Sequence, residues 1–329
     1  MPVCQAAGAT NFDCGGYWYH HLLWPFGCSF RYSTPVTKTT TLLPRAGNMP
    51  LAKDRMTPKE LMPRCIIVSH KHQLALNAVG LSGPGLEFLL QHAGWNTMAE
   101  PFMISVMSLE KTPATRRAEL REIFTQLAHT REHLRWVDWA IQINLSCPNG
   151  GLDPNDLIDE VLPILDDAQN ILPARIPVAV KFGPEVHPSS MLRIAKHPRC
   201  DAICVFNTLP FGKQPTWAKE TPPVNWEKFF GTSNPADSPM AKRFPSFAGG
   251  LSGAPLKPFL FEWVRAVTSL GITKPIIAGG GLLSGEDAWK VIEAGAEATS
   301  PGSIAFLAPT QVRKMIRASY KAAHFYNRL

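Results

Sequence analysis

"PIIAGGGLLSGEDAWKVIEAGA", Pro275 to Ala296, decides the fold. A β-rich run, 275–280, breaks at three successive glycines. A helix-period segment follows at 285–294, and another β-rich run begins at 298. Strand, glycine turn, helix and strand in that order make one parallel crossover unit. Working outward, the same alternation fills the chain. Further strands are expected at 3–7, 35–40, 102–107, 138–144, 177–182 and 201–207, and the last one spans 298–304. Helical patterns lie at 84–95, 114–135, 155–172, 189–197, 257–270, 285–294 and 311–325. Eight strands with helices between them point to a closed α/β barrel of the (β/α)8 TIM type. No linker divides the chain, so residues 1–329 are expected to form one domain.

Two segments depart from the alternation. "RCIIVSH" and "LALNAVGL" (64–70 and 74–81) look like a β-hairpin inserted after the second strand. Residues 209–248, after the sixth strand, are rich in Pro, Gly, Ser and Lys without a period. They are too long for an ordinary connection, and we read them as a functional lid or binding loop. The aromatic stretch "YWYHHLLWPFGCSF", 17–30, reads as a packed loop.

Composition narrows the class of protein. Apolar residues make up 45% of the 329 positions, enough for a full core, and the net charge is +7. No block of five or more like charges appears, so the charge reads as a basic C-terminal helix and anionic small ligands, with no nucleic-acid partner. No apolar run approaches the 18 residues a membrane span needs, and nothing at the N-terminus reads as a secretory signal. Seven cysteines, an odd number, suit reduced thiols in the cytoplasm. Cys200 and Cys204 lack a second pair of ligands, so no metal site is expected, and Cys204 reads as a buried strand residue.

Active sites of these barrels lie at the C-terminal ends of the strands. Those ends carry Lys38, Asn144, Lys181, Asn207 and Thr208. No carboxylate stands among them, which disfavours divalent-metal catalysis and a carboxylate acid–base pair. Amides dominate instead: Asn77, Asn144, Asn149 and Asn207. An amide both donates and accepts, so convergent amides match a planar ligand with alternating N–H and C=O edges, as a pyrimidine has. Gly279 to Gly281 end the seventh strand, and "SPGS", Ser300 to Ser303, ends the eighth. Loops at those two ends form the usual phosphate site of the fold, where glycine lets backbone N–H groups approach an anion. A phosphorylated ligand is therefore expected. "GGLSG", 249–253, either adds N–H groups to that site or is a simple turn. "INLSCPN", 143–149, runs a strand into a thiol fixed before proline. Pro148 keeps the Cys147 backbone extended, with its side chain free to face the ligand. Such a thiol acts as nucleophile or base; no His is placed to activate it.

At this point the sequence resembles a known family. "TKTTTLLPRAGN", "LNAVGLSGPG", "INLSCPN", "VAVKFGP", "VFNTLPFG", "GGLSGAPLKP" and "PIIAGGGLLSGEDAWKVIEAGA" are similar to the motifs of FMN-dependent dihydroorotate dehydrogenases, in the family's order. The cysteine-type motif resembles the soluble class 1 enzymes. The resemblance implies an oxidoreductase, a flavoprotein that oxidises (S)-dihydroorotate to orotate in pyrimidine biosynthesis with hydride transfer to FMN. Cys147 would be the catalytic base. Lys38, Asn77, Ala78, Val79, Gly80, Leu81, Asn144, Asn149, Asn207 and Thr208 would bind substrate. Ala6, Ala7, Gly8, Lys38, Thr39, Asn144, Lys181, Phe206, Gly253, Gly280, Gly281, Gly302 and Ser303 would hold FMN. The acceptor would be fumarate, used by dimeric relatives, or another soluble acceptor, with NAD through an iron–sulfur partner and quinone as alternatives, and a homodimer is expected. The chain departs from the family pattern at Ala7, where serine is common, at Ser303, where threonine is common, and at Gln142, which replaces a common glutamate. An FMN barrel acting on another pyrimidine (a dihydropyrimidine, or dihydrouridine in RNA) is a second reading. A lyase using Lys181 as a Schiff base and a non-catalytic FMN- or orotate-binding barrel are the others.

Overall fold

The computed structural model describes residues 2–130, 138–145 and 159–328. Cys147, Asn149 and the expected helical stretches 131–135 and 155–158 lie outside the described residues. Ten strands are present among the described residues: β1 (Ile66–Ser69), β2 (Leu74–Asn77), β3 (Phe102–Val106), β4 (Trp139–Asn144), β5 (Val178–Phe182), β6 (Ala202–Val205), β7 (Leu209–Pro210), β8 (Gly250–Gly253), β9 (Ile276–Ala278) and β10 (Ala298–Thr299). β3, β4, β5, β6, β9 and β10 form one parallel sheet in that order.

The sheet closes into a ring through segments that carry only isolated bridges. Val3 pairs with Thr299 and Cys4 with Thr34; Val36 pairs with Met103 and Thr40 with Val106, all in parallel. The expected strands 3–7 and 35–40 therefore occupy their ring positions without forming continuous ladders. One reason is visible beside β3. The Ser105 N–H donates to the Thr37 hydroxyl at 3.0 Å, so a side chain takes the place of a backbone acceptor.

Alternation along each strand builds two cores. Phe102, Ile104 and Val106 of β3, Ile141 and Ile143 of β4, Val178 and Val180 of β5, and Ile203 and Val205 of β6 point outward into the main core. The inward apolar residues Cys4, Val36, Met103, Ala179, Cys204, Ile277 and Ala298 fill the barrel interior as a separate cluster. The helices that cover the outside start where the chain supplies caps. α1 (Trp18–Leu23) and α2 (Leu86–His92) precede α3 (Pro113–His129), where the Thr112 hydroxyl accepts from Thr115 N–H and Pro113 sits in the first turn. α4 (Val161–Ile171), α5 (Met191–Ile194), α6 (Trp226–Phe230) and α7 (Lys257–Ser269) follow. α8 (Gly285–Glu293) has the reciprocal Ser284–Asp287 capping box. α9 (Ile304–Leu307) and α10 (Val312–Phe325) complete the chain.

A second, four-stranded antiparallel sheet is ordered β1-β2-β8-β7. The hairpin expected after the second barrel strand is β1–β2, in which Ile66 faces Asn77. Its partner corrects one expectation. Residues 249–253 are not a simple turn: Gly250 to Gly253 form β8, which pairs along its whole length with β2, Asn77 facing Gly250. The insertion after strand two and the segment after strand six are thus one roof. Residues 209–248 are corrected too. Phe211, Trp226 and Phe230 make an aromatic cluster, with the Phe211 and Trp226 ring centroids 4.7 Å apart. The Glu262 carboxylate of α7 accepts from the N–H groups of Lys219, Glu220 and Thr221. This segment is packed against the body and sends no residue into the cavity described below. The aromatic stretch also differs from a loop, since Trp18 to Leu23 form α1.

Candidate active site

A cavity of about 330 Å³ opens at the C-terminal ends of the barrel strands. Ala6, Ala7 and Gly8 reach it from the first ring segment, Lys38 and Thr39 from the second, Asn144 from β4 and Lys181 from β5. Phe206, Asn207 and Thr208 come from the end of β6, Gly280 and Gly281 from the end of β9, and Gly302 and Ser303 from the loop before α9. The roof supplies Asn77, Val79, Gly80 and Leu81. Two expected residues stay outside. Ala78 is fully buried in the core, because successive residues leaving β2 alternate between core and cavity. Gly253 lies behind the glycine loop, and Ser252 and Leu256 line the cavity in its place. A Cβ on Gly281 would stand 2.3 Å from the Gly253 carbonyl oxygen, so Gly253 supports that loop from below.

Both lysines are buried. Lys181 faces Asn144 on one side and Cys204 on the other across the parallel ladders. The Lys38 ammonium donates to the Ser82 carbonyl at 2.6 Å and lies 4.6 Å from the centre of the Phe12 ring. Burial pushes Lys38 down from 10.5 to about 7, against a smaller opposing pull from Cys65. It is therefore poised to gain charge when an anion arrives. The amides are tied together. Asn207 Nδ2 donates to Asn144 Oδ1 at 3.4 Å, Asn144 Nδ2 donates to the Thr39 hydroxyl at 3.2 Å, and Asn77 Nδ2 donates to the Gly250 carbonyl at 3.3 Å. Burial in the barrel interior pushes the Cys204 thiol up to about 12, which suits a packing residue and not a nucleophile.

Sequence reasoning missed one wall of the cavity. Tyr17, Trp18 and Tyr19 line it, as do Leu61, Pro63, Ile66 and Phe306. The Tyr17 hydroxyl donates to the Gly8 carbonyl at 3.0 Å and fixes this segment over the first ring position. The signal was available. An aromatic run directly after a barrel's first strand must leave from the C-terminal face, which is the mouth of the site.

A barrel with glycine loops after its seventh and eighth strands, and with lysines and amides converging on one cavity, is built as an enzyme for an anionic, polar-edged ligand. The comparisons agree. The family model described as "Dihydroorotate dehydrogenase" matches residues 28–319. A dihydroorotate dehydrogenase B (NAD(+)) catalytic subunit from Endomicrobium trichonymphae is 29% identical over 313 residues, covering 94% of this chain and 83% of its own. A dihydroorotate dehydrogenase A (fumarate) from Lacticaseibacillus paracasei is 25% identical, covering 82% of this chain and 78% of its own. In fold, the chain resembles the crystal structure of DHODH from Eimeria tenella in complex with ferulenol, with TM-score 0.66 at 22% identity over 100% of this chain and 83% of that one. The chain belongs to the dihydroorotate dehydrogenase family.

Proposed function

We propose that the chain oxidises (S)-dihydroorotate to orotate with FMN as its cofactor, a step of pyrimidine biosynthesis. The observation that carries this reading is the convergence of two buried lysines and three asparagines on one cavity with glycine loops in its wall, within a chain of this family. The residues fit FMN. Gly280, Gly281, Gly302 and Ser303 offer close backbone approach for a phosphate. Among the described residues, none accepts a hydrogen bond from the Gly280, Gly281 or Ser303 N–H. Ala6 to Gly8 provide a flat wall of small residues, and Lys181 supplies a buried cation beside it. When bound, FMN supplies the acceptor for the hydride that leaves C6 of the substrate.

The remaining steps belong to side chains. Cys147, three positions after Asn144 in the sequence, takes the proton from C5 as a base. The electron pair left at C5 when the proton is removed becomes the new C5–C6 double bond as the hydride leaves C6. Asn77, Asn144, Asn149, Asn207 and Thr208 pair with the ring edges, and Val79, Gly80 and Leu81 close the roof over them. Lys38 holds the anionic substrate between Thr39 and the roof. Lys181 holds positive charge where electron density rises. The electrons leave to a soluble acceptor, fumarate or another, from a homodimer in the cytoplasm.

Orotate titration into the flavin-loaded protein tests the substrate assignment. The product should perturb the visible flavin spectrum saturably, while uracil, which lacks the carboxylate, should bind at least about tenfold more weakly, the loss of roughly one charged hydrogen bond. Equal affinity for the two would overturn the assignment.

A further inference from the structure

A line of hydrogen bonds runs from the cavity into the barrel floor. Asn207 Nδ2 meets Asn144 Oδ1, Asn144 Nδ2 meets the Thr39 hydroxyl, and the Thr39 and Ser105 hydroxyls are 2.9 Å apart. Ser105 Oγ lies 3.3 Å from Gln142 Oε1. At the far end Gln142 Nε2 stands 3.7 Å from Met103 Sδ and 3.5 Å from Cys204 Sγ. Ser105 and Gln142 are buried and do not line the cavity.

The direction of every proton in this line follows from its deep end. The Cys204 thiol can donate or accept and fixes nothing, whereas the Met103 thioether sulfur accepts and cannot donate. The end of the Gln142 amide that faces Met103 is therefore the NH₂, and the carbonyl end faces Ser105. Gln142 Oε1 can only accept, so the single Ser105 hydroxyl proton is committed to it. Ser105 Oγ must then accept from Thr39, and the single Thr39 proton is spent there. Thr39 Oγ1 must accept from Asn144, which sets the Asn144 carbonyl toward Asn207. Asn207 answers with its NH₂ and turns its own carbonyl away from Asn144.

We infer that Gln142 and Ser105 are positioning residues, which fix through Thr39 which way round the Asn144 and Asn207 amides stand and so set the donor and acceptor pattern offered to a pyrimidine. This rests on the assignment of Asn144 and Asn207 to substrate. It also gives a physical role to the amide at position 142. A side chain there must donate to sulfur at one end and accept from a hydroxyl at the other, and an uncharged amide does both without burying a charge.

The test compares Ser105→Ala and Gln142→Met with Ser105→Thr, which keeps the hydroxyl. Flavin content and orotate affinity are read separately. Ser105→Ala and Gln142→Met should retain FMN but bind orotate about tenfold more weakly, the scale of one misplaced buried hydrogen bond. Ser105→Thr should stay within about twofold of wild type. Orotate affinity unchanged in both breaking variants would overturn the inference. A second measurement needs no variant. Neutron diffraction from deuterium-exchanged wild-type crystals should place the Thr39 hydroxyl deuterium toward Ser105, and a deuterium directed at Asn144 would refute the assignment. If wild type fails to bind orotate at all, the substrate reading falls, while the deuterium position still decides the proton order.

Discussion

At the scale of single residues, Lys38 sets the pH behaviour. Its folded-state value of about 7 lies below its ordinary 10.5, through burial. Below pH 7 the ammonium is charged in both the folded and unfolded states, and the fold carries the whole cost of burying it. Between about pH 7 and 10.5 the unfolded chain holds a proton on Lys38 that the folded one has lost, so the Lys38 contribution to stability rises with pH across that window. In thermal unfolding of the apoprotein, the melting temperature of wild type relative to Lys38→Met should rise across this window, the difference cancelling the titration of the other groups. A wild-type protein whose melting temperature runs parallel to that of Lys38→Met from pH 7 to 10 would contradict the burial effect. A second consequence concerns binding. An orotate carboxylate near Lys38 favours the charged form, so binding above pH 7 takes up a proton and weakens as pH rises further.

At the scale of elements, what could be read in advance followed from periodicity. β3 to β6 alternate large outward residues with small or polar inward ones. Lys181 inside "VAVKF" and Asn144 at the end of "WAIQIN" were therefore already on the inner face. β8 was harder to see. It is four residues long, two of them glycine, and its partner β2 lies far back in the chain, a pairing no local pattern announces. The ring positions at 3–7 and 35–40 show as β-rich runs, yet Thr37 replaces part of a ladder with its hydroxyl, a substitution that only the folded register reveals. The glycine loop was legible by its place after a strand, whereas its need for glycine comes from tertiary packing. Gly281 has φ +78°, and a Cβ there would be 2.3 Å from the Gly253 carbonyl. Gly281→Ala should thus displace the loop and lose FMN during purification, with a lowered melting temperature. Full flavin content in that variant would show that the loop does not shape the phosphate end of the site.

At the scale of the whole molecule, the barrel and its roof divide the work. The ring gathers residues from strand ends that are distant in sequence, and its interior holds a cluster of buried apolar side chains that includes two thiols. The roof, made by β1, β2, β7 and β8, brings Asn77 over the same cavity from a segment outside the ring. The aromatic segment 17–19 closes the remaining side. One cavity therefore receives a polar floor, a glycine-rich end and an apolar mouth, which suits a substrate oxidised in one place by a cofactor anchored in another. Anaerobic stopped-flow mixing of the FMN-loaded protein with dihydroorotate measures that directly. Wild type should lose its visible flavin absorbance promptly, and Cys147→Ala should do so about 10²–10⁴ times more slowly, the usual contribution of a positioned base. Wild-type flavin that dithionite bleaches but dihydroorotate leaves oxidised would contradict it.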